Sequence, residues 1–403
     1  MLNSVYFITF GCKVNLTETE KMRLALLSKG FAISESEEKA DIFVINSCTV
    51  TDTADKKLKK TISRLRKAYP EAKIAVMGCY TELKSLENVD IMVGTADRDT
   101  LPDKLSKLSP VKESNEDYKI YPDNTRAFLK IQDGCSCNCS YCIIPKARGG
   151  FCSKPLEVIG AEAKAFAEAG FREIVLTGIN IGFYGVERGQ TLFDAVLTVS
   201  ENAPNARLRL GSLEPERMTD SEIEKLGGIK NLCPHFHLSL QSACDRTLKA
   251  MNRRYTISEY MTVASKLREK FSNTAITTDI IVGFPGETGE DFAESMEKIK
   301  KIGFSDIHIF PYSRREGTRA DLMDNQIPEN IKHERAKKLS EVVEDMKKDF
   351  AETMRGRSLK VLFENEKTPG VHVGFTENYL PFTVENNDLK SWRNQIKEVR
   401  YIP

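Results

Sequence analysis

Cys135-Ser136-Cys137-Asn138-Cys139-Ser140-Tyr141-Cys142 places four cysteines in eight residues, between Asp133-Gly134 and Ile143-Ile144-Pro145. That density exceeds what structural thiols require in a chain of 403 residues with ten cysteines. Cys135, Cys139 and Cys142 follow the spacing C-x3-C-x2-C, and Cys137 is an extra thiol inside it. Thiolates are soft ligands suited to zinc or to an iron–sulfur cluster. A zinc site would call for a second Cys-x2-Cys hook at a distance, and the chain has none. Three thiolates on one tight loop instead fit a four-iron cluster held at three corners. Such clusters ordinarily take four cysteines, so one iron is left open to bind and activate another molecule. Disulfides or buried free thiols are the plain alternative.

The bulk composition bounds the setting of that loop. Hydrophobic residues at 40% and charged residues at 29% describe an ordinary globular protein. Its length allows two or three domains. Lys plus Arg (59) nearly cancels Asp plus Glu (58), so a nucleic-acid partner would have to be met by local basic patches. There is no apolar run long enough to span a bilayer. The first ten residues lack the basic region of a signal peptide. A reducing, cytoplasmic location without a membrane partner is therefore expected, with the cysteines serving as metal or catalytic thiols.

Upstream of the loop, strands are expected over residues 5–10, 41–45, 73–77 and 91–93, with helices over 17–29 and 55–69. This alternation argues for an open parallel sheet with helices on its faces. Ligands on such sheets sit beyond the carboxyl ends of the strands, and Cys12, Cys48 and Cys79 follow the first three of them. The three cysteines could therefore converge on one sheet edge and hold a second cluster; three small core residues is the plainer reading. The helix over 55–69 carries seven Lys and Arg residues around a stripe of Leu58, Ile62 and Leu65. Its outer face suits phosphates or simply solvent. Residues 101–124 are polar, contain Pro110 and Pro122, and read as a linker.

From residue 128 to 310 six strands, each but the last followed by a helix, describe an incomplete parallel (β/α)6 barrel. Chemistry in such barrels lies at the carboxyl ends of the strands, where Gly178, Ser212, Glu214 and Gln241 fall. For Glu214 an ordinary turn carboxylate is the alternative. His235 and His237 alternate on one strand and share a face; a satisfied core histidine is the expectation, with substrate contact by one of them the alternative. Residues 329–353 form a long charged helix expected to pack on the barrel. The last stretch, about 359–403, switches to short alternating strands with Gly and Asn turns, as in a small β-barrel. Its polar surface, with Tyr379, Lys390, Trp392 and Arg393, suits RNA. The domains are accordingly expected over residues 1–115, 121–350 and 356–403.

These motifs resemble a known family. The C-x3-C-x2-C loop resembles the signature of radical S-adenosylmethionine (SAM) enzymes. Gly11-Cys12-Lys13-Val14-Asn15, Asn46-Ser47-Cys48-Thr49-Val50-Thr51 and Gln132-Asp133-Gly134 are similar to motifs of the methylthiotransferases. Within that family, Lys13-Val14 and the runs over residues 233–242 and 310–320 resemble the MtaB branch. The resemblance covers essentially the whole chain. Two departures are Gly150-Phe151-Cys152-Ser153-Lys154, where more basic residues are usual, and Gln241-Ser242-Ala243 in place of Gln-Ser-Gly.

The resemblance implies two [4Fe–4S] clusters, on Cys135, Cys139 and Cys142 and on Cys12, Cys48 and Cys79. It implies SAM bound near Tyr141, Gly178, Ser212, Glu214 and Gln241, and a C-terminal TRAM barrel for RNA. The implied substrate is a tRNA anticodon stem-loop, methylthiolated at C2 of N6-threonylcarbamoyladenosine at position 37. Catalysis would be carried by clusters and SAM, with no side chain as acid or base. Arg314 and Arg315 would suit the threonylcarbamoyl carboxylate or tRNA phosphates, since Arg pairs bidentately with such groups. A reductase or flavodoxin-type electron donor is implied as partner, and the sulfur source is left open. Isopentenyladenosine tRNA or a ribosomal protein are alternative substrates within the family. A two-cluster electron carrier with an RNA-binding tail is the alternative outside it, although a carrier has no use for a barrel or an open iron.

Overall fold

The computed structural model describes residues 3–110, 125–364, 366, 368, 370–385 and 391–403. Residues 111–124 of the expected linker and Lys390 lie outside them. The chain forms two compact units: Met1–Ile120, Asp133–Gly150 and Ser313–Asp321 make the first, and Tyr121–Gln132, Phe151–Tyr312 and Leu322–Pro403 the second. This grouping cuts across the linear boundaries expected from the sequence. The cysteine loop joins the N-terminal sheet, and the C-terminal strands join the barrel.

In the first unit, β1 (Ser4–Thr9), α1 (Lys13–Ser28), β2 (Ala32–Ile33), β3 (Ile42–Ser47), α2 (Asp52–Ala68), β4 (Lys73–Gly78), α3 (Cys79–Leu83), β5 (Ile91–Val93) and α4 (Leu101–Leu108) follow one another. The five strands form one parallel sheet in the order β2-β1-β3-β4-β5. All six residues of β3 are buried, as a central parallel strand covered on both faces requires. Thr51 caps α2, its hydroxyl accepting from the Ala54 N–H at 3.2 Å. Leu58, Ile62 and Leu65 pack under the sheet with Phe43, Ile45 and Val76. The linker expected from residue 101 onward begins instead as α4, with Pro102 in the first turn and Leu101 and Leu105 in the core.

The second unit contains β6 (Arg126–Lys130) and the first residue of β7 (Gln132–Asp133), which leads into the cysteine loop. After that loop and α5 (Ile144–Arg148) come β8 (Cys152–Ser153), α6 (Leu156–Glu168), β9 (Glu173–Thr177), α7 (Leu192–Asn202), β10 (Arg207–Leu210), β11 (Ser212–Leu213) and α8 (Asp220–Gly227). They are followed by β12 (His235–Leu238), α9 (Asp245–Ala250), α10 (Ile257–Lys270), β13 (Ala275–Val282), α11 (Gly289–Ile302), β14 (Asp306–Pro311) and α12 (Glu329–Thr353). β6, β9 and β10 pair in parallel, and β11, β12, β13 and β14 do the same. Gly211 separates β10 from β11 on one strand path, so six parallel strand paths make the expected incomplete barrel. α12 places Leu339 and Val343 in the barrel core, so the sixth strand also gains a covering helix.

The chain ends in β15 (Ser358–Phe363), β16 (Val371–Thr376), β17 (Pro381–Glu385) and β18 (Ile396–Arg400), an antiparallel sheet in the order β17-β16-β15-β18. Its attachment within the second unit is polar and buried. Glu173, at the start of β9, accepts from Arg209 Nε at 2.9 Å and from Arg207 Nε. The same arginines donate onward to the carbonyls of Lys360, Phe375 and Glu377 at 2.9–3.0 Å. Burial alone pushes the Glu173 carboxyl up, but Arg209, Arg207 and Arg126 outweigh it and hold it well below the usual carboxylate range.

Candidate active site

Cys12, Cys48 and Cys79 stand at the carboxyl ends of β1, β3 and β4, three adjacent strands of the first unit. Cys12 is exposed and precedes the first residue of α1; Cys48 and Cys79 are buried. Two glycines admit the close approach. Gly11 has φ +103°, and a Cβ there would lie 2.8 Å from Cys48 Cβ. Gly78 has φ +110°, and a Cβ there would lie 2.6 Å from the Ser47 carbonyl oxygen. Asn15 and Asn46 tie the strand ends: Asn15 Nδ2 donates to the Ser47 carbonyl at 2.9 Å, and Asn46 Nδ2 donates to the Asn15 carbonyl at 2.8 Å. Burial raises the Cys48 thiol and pushes Cys79 up to about 11, with Arg148 partly offsetting both. Without a cation these buried thiols hold their protons. Metal binding must displace them.

The cysteine loop lies in the same unit. Gly134 turns into it at φ +66°, where a Cβ would fall 1.9 Å from the Gly150 carbonyl oxygen. Asn138 also adopts a left-handed conformation, at φ 54°. The Cys135 N–H donates to the Gly149 carbonyl at 3.0 Å, and the Cys142 N–H to the Cys139 carbonyl at 3.1 Å. Residues 313–321 return to clamp the loop from outside: the Ala320 N–H donates to the Ser140 carbonyl at 2.8 Å, and Arg319 to the Asn138 carbonyl at 2.9 Å. The residues immediately after Cys48, Cys79 and Cys142, namely Thr49, Tyr80 and Ile143, line one cleft of about 600 Å³ with Lys84, Lys146 and Arg315. The cleft is thus lined by chain neighbours of Cys48 and Cys79 from one trio and of Cys142 from the other.

Arg148, at the end of α5, links them. Its Nε donates to Cys79 Sγ at 3.1 Å. Its Nη atoms reach Asn15 Oδ1 (3.0 Å), Glu18 (2.8 and 3.1 Å) and Asp133 Oδ1 (3.0 Å), and the side chain is 1% exposed. Arg98 also pairs with Glu18 and with Asp133. Asp133 lies in the Gln132-Asp133-Gly134 motif, whereas Glu18, Arg98 and Arg148 do not stand out as site residues in the sequence.

In the second unit, the expected SAM residues fall at the carboxyl ends of the barrel strands. Glu214 is buried and anchored by Arg253, and Asn180 Nδ2 donates to it at 3.4 Å. The Asn180 N–H donates to Gln132 Oε1 at 2.8 Å, so Gln132, Asn180, Glu214 and Arg253 form one polar row. Gly178 abuts Gln132, leaving only 2.9 Å between a built Cβ and the Gln132 carbonyl oxygen. Gln241 has φ 71°, with its N–H bonded to the Asp279 carbonyl at 2.8 Å. Ser212 is half-buried and pairs in register with His237. Tyr141 is half-buried within the cysteine loop of the first unit.

Comparison with known proteins then decides the family. The Radical SAM superfamily pattern matches residues 129–299, and that of Uncharacterized protein family UPF0004 matches residues 4–94. The threonylcarbamoyladenosine tRNA methylthiotransferase MtaB of Bacillus subtilis is 36% identical over 94% of this chain and 89% of its own length. The Thermotoga maritima MtaB is 36% identical, over 94% of this chain and 91% of its own. The chain belongs to the MtaB branch of the radical SAM tRNA methylthiotransferases. A tRNA-2-methylthio-N(6)-dimethylallyladenosine synthase of Clostridium tetani is 34% identical over 90% of this chain and 85% of its own. The fold also resembles that of the radical SAM methyltransferase TsrM of Kitasatospora setae, with TM-score 0.58 and 12% identity over 92% of this chain and 78% of that one.

For this methylthiotransferase, family membership brings a radical SAM [4Fe–4S] cluster and SAM. The donor set fits: soft thiols grouped on a loop whose backbone bonds to itself, with the Cys137 N–H donating to Cys135 Sγ at 3.5 Å. Several of the expected RNA contacts are placed differently. Arg315 is buried, donating to the Thr49 carbonyl and to Asp55 Oδ2, both at 3.0 Å, so it braces the chain beside Cys48. Arg314 is exposed but pairs with Asp321 at 2.9 Å. Tyr379 is a packing residue: its ring lies against Phe375 and His235, Arg209 stands 4.7 Å from its centroid, and Arg126 donates to its hydroxyl at 3.0 Å. Trp392 stacks on His372 with ring centroids 4.5 Å apart and has Lys397 Nζ 3.9 Å from its own centroid, while Arg393 is exposed. On α2, Arg64 and Arg66 are engaged with Glu37 and Asp90. Among the described residues, no helix is long and apolar enough to cross a membrane.

Proposed function

We propose that this methylthiotransferase adds a methylthio group to C2 of N6-threonylcarbamoyladenosine at position 37 of tRNA. The observation that carries the substrate is full-length similarity at 36% identity to relatives named for that nucleoside. Two [4Fe–4S] clusters are proposed: Cys135, Cys139 and Cys142 hold the one that engages SAM, and Cys12, Cys48 and Cys79 hold the other. The convergence of the second trio at one sheet edge supports its ligation. When bound, these groups supply the radical and sulfur chemistry that an unactivated C2–H bond requires.

The chain's own residues bind and orient. Glu214, held by Arg253, together with Gly178, Ser212 and Gln241, offers polar contacts to the ribose and amino-acid portions of SAM, and Tyr141 packs by its adenine. Lys146 and Lys84 stand in the cleft lined by neighbours of the cysteines, Lys84 being paired with Glu316 at 3.4 Å, and Lys146 suits a phosphate or carboxylate. The C-terminal sheet is read as a TRAM barrel that grips the anticodon stem-loop, with Arg393 and the α2 lysines as phosphate contacts. The domain reading is 1–115, 121–350 and 356–403, the setting cytoplasmic, and the electron donor a reductase or flavodoxin-type protein. Similarity to a dimethylallyladenosine synthase at 34% identity favours one second reading, in which the substrate side chain is an isoprenoid. Mass spectrometry of tRNA nucleosides from a deletion strain separates them. Loss of the 2-methylthio form of threonylcarbamoyladenosine is expected, and loss of the dimethylallyl form alone overturns the proposal.

A further inference from the structure

His237, Asp279 and His308 stand on the inner face of three neighbouring barrel strands, β12, β13 and β14. The residues that alternate with them, Phe236, Leu238, Ile280 and Ile307, point the other way into the core under the helices. Register places His237 beside Thr277 and Asp279 beside His308. One donor atom from each of the three residues lies within 4.8 Å of the other two. His237 Nε2 is 3.2 Å from Asp279 Oδ2. The His237 and His308 rings are stacked with centroids 5.8 Å apart. The second nitrogen of His237, Nδ1, lies 3.0 Å from Thr277 Oγ1, which fixes the ring with Nε2 toward Asp279. An outer partner on the far ring nitrogen is the usual accompaniment of a metal-binding histidine.

We infer that His237, Asp279 and His308 form a site for a first-row divalent cation such as zinc or ferrous iron, separate from the cysteine trios. Two imidazoles and one carboxylate on one side of an ion leave its remaining positions open toward the barrel interior. Bonds of about 2.0–2.1 Å in a tetrahedral site put donor atoms roughly 3.4 Å apart. Closing from the observed spread therefore needs a movement of about 1–1.5 Å, which the exposed His308 on the edge strand can make. The role rests on the functional reading above. A threonylcarbamoyl side chain carries a carboxylate and a hydroxyl that can complete the coordination, whereas a dimethylallyl chain offers no donor. The ion would then select between the two substrate classes.

The test counts zinc. Full-length protein with its cysteines loaded with iron and sulfide is exposed to Zn²⁺, passed through a desalting column and assayed for metal. About one zinc per chain beyond the cluster iron is expected in the wild type. His308→Gln, an exposed change that spares the core, and Asp279→Asn should each weaken zinc affinity at least about 10-fold. A chain with Cys12, Cys48, Cys79, Cys135, Cys139 and Cys142 all changed to Ser should still retain the zinc. No zinc in the wild type, or equal zinc in the wild type and His308→Gln, overturns the site. N6-threonylcarbamoyladenosine should tighten zinc binding and N6-dimethylallyladenosine should not; an equal effect of the two overturns the selective role. Failure of the tRNA assignment would show in the nucleoside profile while the zinc count stood.

Discussion

Arg148 Nε lies 3.1 Å from Cys79 Sγ, across 69 positions of sequence. The helix that follows Cys142 thus ends with its cation against a thiol of the other trio. An N–H donor to a ligating sulfur is one of the levers that set a cluster's reduction potential. Arg148→Lys keeps the charge but loses the planar fork that serves Glu18, Asn15 and Asp133 together. We expect it to shift the midpoint potential of the cluster proposed on Cys12, Cys48 and Cys79 to more negative values while iron content is retained, as read by EPR-monitored redox titration. Arg148→Ala leaves Glu18 and Asp133 with less compensation and should cost about 3–5 kcal/mol in denaturant unfolding.

The two cysteine trios should separate by assay. Ser replacements at Cys135, Cys139 or Cys142 are expected to abolish 5′-deoxyadenosine formation from SAM under dithionite. Replacements at Cys12, Cys48 or Cys79 should lower iron by about half and stop methylthiolation while leaving 5′-deoxyadenosine detectable. Equal loss of 5′-deoxyadenosine in both sets would contradict the division of labour.

Gly134 admits no side chain. A Cβ at 1.9 Å from the Gly150 carbonyl oxygen, at φ +66°, must displace the start of the cysteine loop. Gly134→Ala should cost about 1–3 kcal/mol in backbone strain. Iron bound by the Cys135, Cys139 and Cys142 trio should fall with it. Gly149→Ala has open space around its Cβ but a φ of +71°, so it should show strain with much smaller iron loss.

Glu173 sets an acid limit for attachment of the C-terminal sheet. Its folded carboxyl sits far below its ordinary value of 4.5. Its contribution is therefore fully present above about pH 4.5 and is lost progressively as pH falls toward the folded value. Glu173→Gln leaves Arg207 and Arg209 without their shared anion. It should lower stability by about 3–5 kcal/mol at pH 7, a difference that is constant down to about pH 5 and shrinks below it. Unfolding curves at pH 7, 5 and 3 check the sign.

What the sequence made legible was local. The strand ends carrying Cys12, Cys48 and Cys79 could be read because period, turn residues and cysteine coincide within a few positions. α4 was misjudged as linker although Leu101 and Leu105 have helical spacing and Pro102 suits a first turn, because the charges between them outweighed two leucines. Arg148, Glu18 and Arg253 carried no signal, since each gains its meaning only from partners far away in the chain. Tyr379 was misread for the opposite reason: an aromatic in a polar turn looks like an RNA platform until Arg126, Arg209 and His235 are seen around it. The triad of His237, Asp279 and His308 was half visible, in that two histidines sharing a face were plain while their partners on β13 and β14 were not.

The clamp of Ala320 and Arg319 on the carbonyls of Ser140 and Asn138 imposes an order on biosynthesis. After Cys142 a further 179 residues must be added to reach the end of the clamp at Asp321. At roughly 5–20 residues per second, the ribosome needs about 9–36 s to deliver the strap after the last cysteine of the loop has been added. Until residues 313–321 have been made, the thiols stand on a segment without its latch. Delivery of the cluster in that window, before the latch closes, would make its loading a race set by translation speed, so codon choice across the barrel could alter how much of the protein emerges charged with iron.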